Sequence, residues 1–158
     1  MELWYTEKQT PNAGLTCTVK KTLLRCQTKY QELAVVDTFQ FGRMLVLDGM
    51  VQTTAMDEFV YHEMIVHVPM FTHPSPRNVV VIGGGDGGTV REICKYPSVE
   101  RVVLVEIDAQ VVEAARRFLP ELSYCLDDPR VEIHYTDGIE YIHSLDEFCD
   151  LIIVDSTE

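Results

Sequence analysis

Val79-Val80-Val81-Ile82-Gly83-Gly84-Gly85-Asp86-Gly87-Gly88-Thr89 decides the architecture of this chain. A run of β-branched apolar residues reads as a strand buried on both faces. The glycines after it let the backbone turn tightly and lie close to a ligand before a helix begins. Downstream, strands at 101–106, 131–135 and 150–154 join the first at 78–82, and helical patterns at 89–95, 109–118 and 139–143 fall between them. Continuous apolar strands alternating with helices predict a parallel sheet covered on both faces. Right-handed crossovers then bring the carboxyl ends of these strands to one edge, where open α/β sheets receive ligands. Those ends carry the glycine run, Glu106, Asp137-Gly138 and Asp155.

Upstream, residues 15–54 show short strand-like runs broken by turn chemistry, and Asp48-Gly49 between Leu45-Val46-Leu47 and Met50-Val51 predicts a two-residue hairpin. The spacing of Phe59, Val60, Met64, Ile65 and Val68 predicts a helix over 57–67, opened by acidic Asp57 and Glu58. His73-Pro74-Ser75-Pro76 is a stiff linker, because each proline restricts itself and its predecessor. The expected organisation is an antiparallel β-hairpin domain at 1–56, a helix and linker at 57–76, and a Rossmann-like nucleoside-binding domain at 77–158 that stops after its fourth strand. The fold class is therefore α/β, with a small antiparallel β domain ahead of a parallel sheet.

The net charge is −12, and residues 77–158 hold 17 acidic against 7 basic side chains. Such an excess repels phosphate backbones and anionic lipid and attracts small cations into a cleft, which argues against nucleic acid or a membrane as partner. Five cysteines without a Cys-x-x-Cys pair read as reduced core thiols. His62 and His67 are five apart rather than four, so they do not share a helix face and no metal site is expected. No stretch approaches eighteen apolar residues, and the start lacks the regions of a signal peptide, so a cytoplasmic location is expected.

Taken alone, the glycine run has a strand–helix corner as its lesser reading, Glu106 reads equally as an exposed strand-end acid, and Asp137-Gly138 is more commonly a turn. Asp86 alters the balance. A carboxylate on the turn is badly placed for a pyrophosphate and suits a cationic group. Glu106 lies at a strand end eighteen residues after Gly88, where an acid accepts both ribose hydroxyl protons. In the same register Asp137 is placed to accept from an adenine amino group. The set points to an adenosine without phosphates, as in S-adenosylmethionine chemistry.

The chain resembles the spermidine synthases, the polyamine aminopropyltransferases. The resemblance rests on Tyr30-Gln31-Glu32-Leu33, Leu45-Val46-Leu47-Asp48-Gly49, Asp57-Glu58-Phe59-Val60-Tyr61-His62-Glu63-Met64, the glycine run, Val105-Glu106-Ile107-Asp108, Asp137-Gly138 and Asp155-Ser156-Thr157-Glu158. It implies aminopropyl transfer from decarboxylated S-adenosylmethionine to putrescine, giving spermidine and 5'-methylthioadenosine, by a homodimer that needs no metal or other cofactor. Carried over, Gln31, Leu47, Glu106, Asp137 and Gly138 hold the methylthioadenosine part and Asp86 the donor's ammonium. Tyr61 and His62 position amines, Asp155 accepts the proton, and Glu158, Gln52 and Trp4 belong to the diamine pocket. The family often has Asp where this chain has Glu158, which bears on the preferred diamine length. Without the resemblance, Gln31 and Gln52 read as outward polar residues, Tyr61 and His62 as core or boundary residues, and Leu47 and Trp4 as packing.

By the resemblance the parallel sheet is Rossmann-like, of class I methyltransferase type, and a complete fold of this type has three further strands, so residues 1–158 are expected to be a piece of a longer enzyme, inactive or impaired alone. Two other readings are a small-molecule methyltransferase, which would prefer the carboxylated donor, and a nucleoside-binding or assembly module, for which Tyr61, Asp155 and Glu158 would be dispensable.

Overall fold

A computed structural model describes residues 2–146 and 148–156. Strands β1 (Leu3–Thr10), β2 (Ala13–Gln27), β3 (Glu32–Thr38), β4 (Arg43–Leu47) and β5 (Met50–Thr54) form an antiparallel meander in chain order. The predicted strand pattern begins at Leu15, and β1 lies ahead of it. The ordinary burial rule is inverted along β1: Trp4 is exposed, whereas Glu7 is buried and accepts a hydrogen bond from the Val51 N–H at 3.0 Å. Between β4 and β5, Asp48 and Gly49 have φ of 48° and 77°, the paired positive values of the tight hairpin expected there. The Asp48 carboxylate accepts from the Glu32 N–H at 2.8 Å, and the Asp48 N–H donates to the Glu32 carbonyl at 2.8 Å, tying the turn to β3.

Helix α1 (Glu58–Thr72) continues beyond His67, through Pro69. Its buried face is His62, Val66 and Met70, while Phe59, Val60, Met64 and Val68, which carry the helical spacing in the sequence, lie exposed with Phe71. The apolar stripe is thus turned outward, and a histidine occupies the inner face.

The second half contains β6 (Asn78–Gly83), α2 (Gly88–Cys94), β7 (Arg101–Val105), α3 (Ala109–Phe118), α4 (Pro120–Ser123), a 3-10 turn (Tyr124–Asp127), β8 (Val131–His134), α5 (Gly138–His143) and β9 (Leu151–Asp155). The sheet order is β8-β7-β6-β9, and every described pair is parallel. The expected α/β class with an antiparallel leader and a four-stranded parallel sheet is therefore observed. α4 and the 3-10 turn are additions to it. Leu119 and Leu122 there are fully buried, so tertiary packing accounts for a segment with no periodicity of its own. β9 is an edge strand among the described residues, with Ile152 and Val154 exposed.

Two apolar layers fix the arrangement. Val79, Val81, Leu104 and Ile153 of the parallel sheet pack against Val66 of α1 and Val90 and Ile93 of α2. Leu33, Val35 and Leu45 of the antiparallel sheet pack against Val111 and Ala114 of α3 and against Leu119 and Leu122. The second layer joins the antiparallel sheet to α3 and α4, and Arg43 reinforces it by donating to the Phe118 carbonyl at 2.7 Å. All five cysteines are free thiols, but only Cys17 is buried; the others are partly exposed. Among the described residues no helix is long and apolar enough to cross a membrane.

Leu33 has no exposed surface and sits at the centre of the joining layer. Leu33→Ala is expected to lower unfolding free energy by about 2–5 kcal/mol, because the surroundings of a fully buried side chain between a sheet and two helices relax only partly into the cavity. Urea denaturation followed by circular dichroism measures it, and a loss below about 1 kcal/mol would show that the layer does not hold the halves together.

Candidate functional site

A cavity of about 440 Å³ lies at the carboxyl edge of the parallel sheet, walled on one side by the antiparallel sheet. Gln31, Leu47 and Gln52 reach it from the leader, Tyr61 and His62 from α1, and Asp86, Glu106, Asp137, Gly138 and Asp155 from the strand ends. The structure therefore gathers these predicted residues around one hollow. Trp4 is not among them: it stands exposed on β1, opposite Thr18 of β2. Glu158 falls outside the described residues.

The glycine turn makes room for the acids. Gly84, at φ 73°, lies so close to Asp155 that a Cβ would come within 2.7 Å of its carboxylate. A Cβ on Gly88 would overlap the His62 ring. Conformation and space both exclude a larger residue at Gly84, and space alone does so at Gly88.

Each carboxylate is held by named donors. Glu106 accepts from the N–H groups of Gly85 at 3.1 Å and Asp108 at 2.9 Å. Burial raises its pKa, while these backbone bonds oppose the rise. Asp155 accepts from the Tyr61 hydroxyl at 2.9 Å through one oxygen and from the Thr89 hydroxyl at 2.6 Å through the other. Its pKa is raised, first by burial and then by the negative charge of Asp86. Tyr61 is shifted upward as well, by burial and by Asp155. Asp137 caps α5, accepting from the Ile139 N–H at 2.7 Å and the Glu140 N–H at 3.4 Å. Turn-former and cavity residue are thus compatible readings of Asp137.

His62 is buried between two carboxylates, with Nδ1 2.5 Å from Glu58 Oε2 and Nε2 3.6 Å from Asp86 Oδ2. Burial alone would lower its pKa, but Asp86 and Glu58 outweigh burial and raise it to about 9. Asp86 accepts the Gly88 N–H at 2.8 Å.

Several supporting residues were not assigned roles from sequence. Asp108 caps α3 and also accepts from the Thr28 hydroxyl at 2.6 Å and the Gln31 amide at 3.1 Å, fixing Gln31 at the cavity wall. Its place two residues after the strand-end acid is the signal that could have found it. Thr89, directly after the glycine run, has no local mark of its bond to Asp155 across 66 positions. Ile107 and Val111 add apolar lining.

A family model described as the spermine/spermidine synthase domain matches residues 58–158, and one described as the spermidine synthase tetramerisation domain matches 3–55. The chain is 58% identical over 158 residues to a polyamine aminopropyltransferase of Caldicellulosiruptor saccharolyticus, covering all of this chain and 57% of that protein. It is 56% identical over 157 residues to that of Bacillus subtilis (strain 168), covering 99% of this chain and 57% of the relative. Among solved structures, a spermidine synthase in complex with the transition state analogue AdoDATO superposes with TM-score 0.96 at 45% identity, covering 99% of this chain and 54% of that one. Spermidine synthase from Thermotoga maritima gives 0.95 at 45% identity, covering 98% and 54%. The chain thus spans about half the length of the relatives it matches.

The His62 environment predicts a pH signature. Because the folded pKa of about 9 exceeds the ordinary 6.5, the stabilisation is complete below about 6.5 and is lost as pH rises through about 9. The full shift corresponds to on the order of 3 kcal/mol. Urea denaturation across this window should show the decline, and His62→Gln should flatten it; an unchanged slope in that variant would remove His62 as its source.

Proposed function

Because the chain belongs to the spermine/spermidine synthase family, we propose that its cavity serves aminopropyl transfer from decarboxylated S-adenosylmethionine to putrescine, yielding 5'-methylthioadenosine and spermidine. The proposal concerns the whole protein, since the relatives extend beyond the span matched here. The observation that carries it is the convergence of Asp86, Glu106 and Asp155 on one hollow that buried His62 also lines. Such a set suits a ligand with positive charge and a ribose.

In this reading Glu106 accepts from the ribose hydroxyls, Asp137, Gly138, Leu47 and Gln31 hold the adenine end, and Asp86 receives the donor's primary ammonium. Gln52 faces the acceptor, and Tyr61 orients it through the same hydroxyl that binds Asp155. Trp4 and Glu158 remain assigned to the acceptor pocket by resemblance alone. The acceptor nitrogen attacks the methylene beside sulfur, the carbon–sulfur bond breaks, and its electron pair leaves on a neutral thioether. The sulfonium activates that carbon, so the step calls for neither a metal nor a covalent enzyme intermediate.

Proton removal is the difficult part. An alkylammonium with pKa near ~10.4 and a carboxylate near ~3.9 differ by roughly 6.5 units, about 9 kcal/mol in water. Burial and the neighbouring Asp86 raise the Asp155 pKa and so narrow this gap from one side. Desolvating the amine narrows it from the other, and placing nitrogen about 3–3.5 Å from the methylene supplies a further share. The acidic wall also disfavours the carboxylate of ordinary S-adenosylmethionine. We further propose a cytoplasmic protein whose subunits associate, as a homodimer or a higher assembly, with the leader sheet at the contact.

Asp155→Asn in the complete protein is expected to reduce kcat by about 10²–10⁴-fold while leaving methylthioadenosine affinity within about threefold. Single-turnover assays with both donors and with diamines of graded length, paired with calorimetry, measure this. Undiminished turnover would remove Asp155 as the base, and preference for the carboxylated donor would favour methyl transfer instead.

A further inference from the structure

The Glu58 carboxylate does not face the cavity, yet it connects to the cavity through buried side chains. Arg91 on α2 grips both of its oxygens, Nη1 to Oε1 at 2.8 Å and Nη2 to Oε2 at 2.9 Å. Oε2 also meets His62 Nδ1 at 2.5 Å, and the other ring nitrogen points to Asp86 Oδ2 at 3.6 Å. The side chains of Glu58, Arg91 and His62 are 7%, 9% and 3% exposed. Sequestering so many ionised groups is costly, and apolar residues of similar volume would usually hold two helices together as well. The arrangement therefore calls for a task beyond joining α1 to α2.

We propose that Glu58, clamped by Arg91, is a positioning residue that acts through His62 to hold the Asp86 carboxylate where the cavity receives a primary ammonium. This rests on the functional reading above and assigns that reading's cation specificity to residues outside the cavity wall. A neutral imidazole has one N–H and no charge to offer a second carboxylate, whereas the protonated ring donates to Glu58 and forms an ion pair with Asp86 at 3.6 Å. The groups facing His62 are Glu58 and the Tyr61 ring from α1, Asp86 from the glycine turn and Asp155 from β9, with Arg91 of α2 behind Glu58. The elevated His62 pKa of about 9 agrees with a ring that stays protonated at neutral pH. Asp86 is then held from two sides, by the imidazolium and by the Gly88 N–H, and the unused lone pairs of its oxygens can accept from a ligand.

Calorimetry on the complete native protein and its Glu58→Gln variant tests the assignment with two probes. Decarboxylated S-adenosylmethionine carries the ammonium; 5'-methylthioadenosine lacks it. Glutamine keeps the side-chain length, Arg91 keeps Glu92 of its own helix as a counter-ion at 2.8 Å, and Val66 still packs with Val90 and Ile93 between α1 and α2. The expected result is a donor affinity about tenfold weaker with methylthioadenosine affinity within about twofold, the pattern of a lost charge-assisted contact. Equal weakening of both ligands, or an unchanged donor affinity, overturns the inference and leaves the functional reading intact. A wild-type protein that binds neither ligand overturns both. Nitrogen NMR of wild-type His62 supplies a check independent of the variant's folding: both ring nitrogens should be protonated at neutral pH, and a neutral ring overturns the inference.

Discussion

Space at the turn after β6 governs this molecule. The carboxylates of Glu106 and Asp155 come to rest beside a backbone with no side chains at Gly84 and Gly85, and the His62 ring fills the volume a Cβ at Gly88 would need. Backbone N–H groups satisfy Glu106, and two hydroxyls satisfy Asp155. Burying acids is otherwise expensive, so the turn and its donors are what allow them to line one hollow. The parallel sheet supplies the direction, because every strand delivers its acid to the same edge.

The antiparallel leader is the other wall of the site. Its inner face packs through Leu33, Val35 and Leu45 onto α3 and α4, which carries Gln31, Leu47 and Gln52 to the cavity. Ala55, Met56 and Asp57 alone separate β5 from α1, and the Thr54 hydroxyl donates to Asp57 at 2.5 Å. The sheet, the helix with Tyr61 and His62, and the glycine turn are thus closely coupled through covalent connection and packing.

Much of this was legible in the sequence because it depends on local order. Strand runs, the Asp48-Gly49 hairpin and the acids at strand ends are set by short spacings, and they fall where expected. What the sequence concealed depends on partners far along the chain. β1 defies alternation by burying Glu7 under the Val51 N–H while exposing Trp4. On α1, the apolar spacing of Phe59, Val60, Met64 and Val68 marks a surface that is exposed, while the inner face is set by His62 meeting Asp86 and by Val66 and Met70. The Glu58 contact with Arg91 spans 33 positions, so no window of helical length contains it.

Because residues of both sheets line the cavity, an occupant touches both halves and works as mortar between them. Ligand affinity and the cohesion of the fold are then thermodynamically linked: an occupant at a hundred times its Kd adds about 2.7 kcal/mol against unfolding. Metabolite supply would thereby set how long the folded chain endures, apart from any turnover it supports.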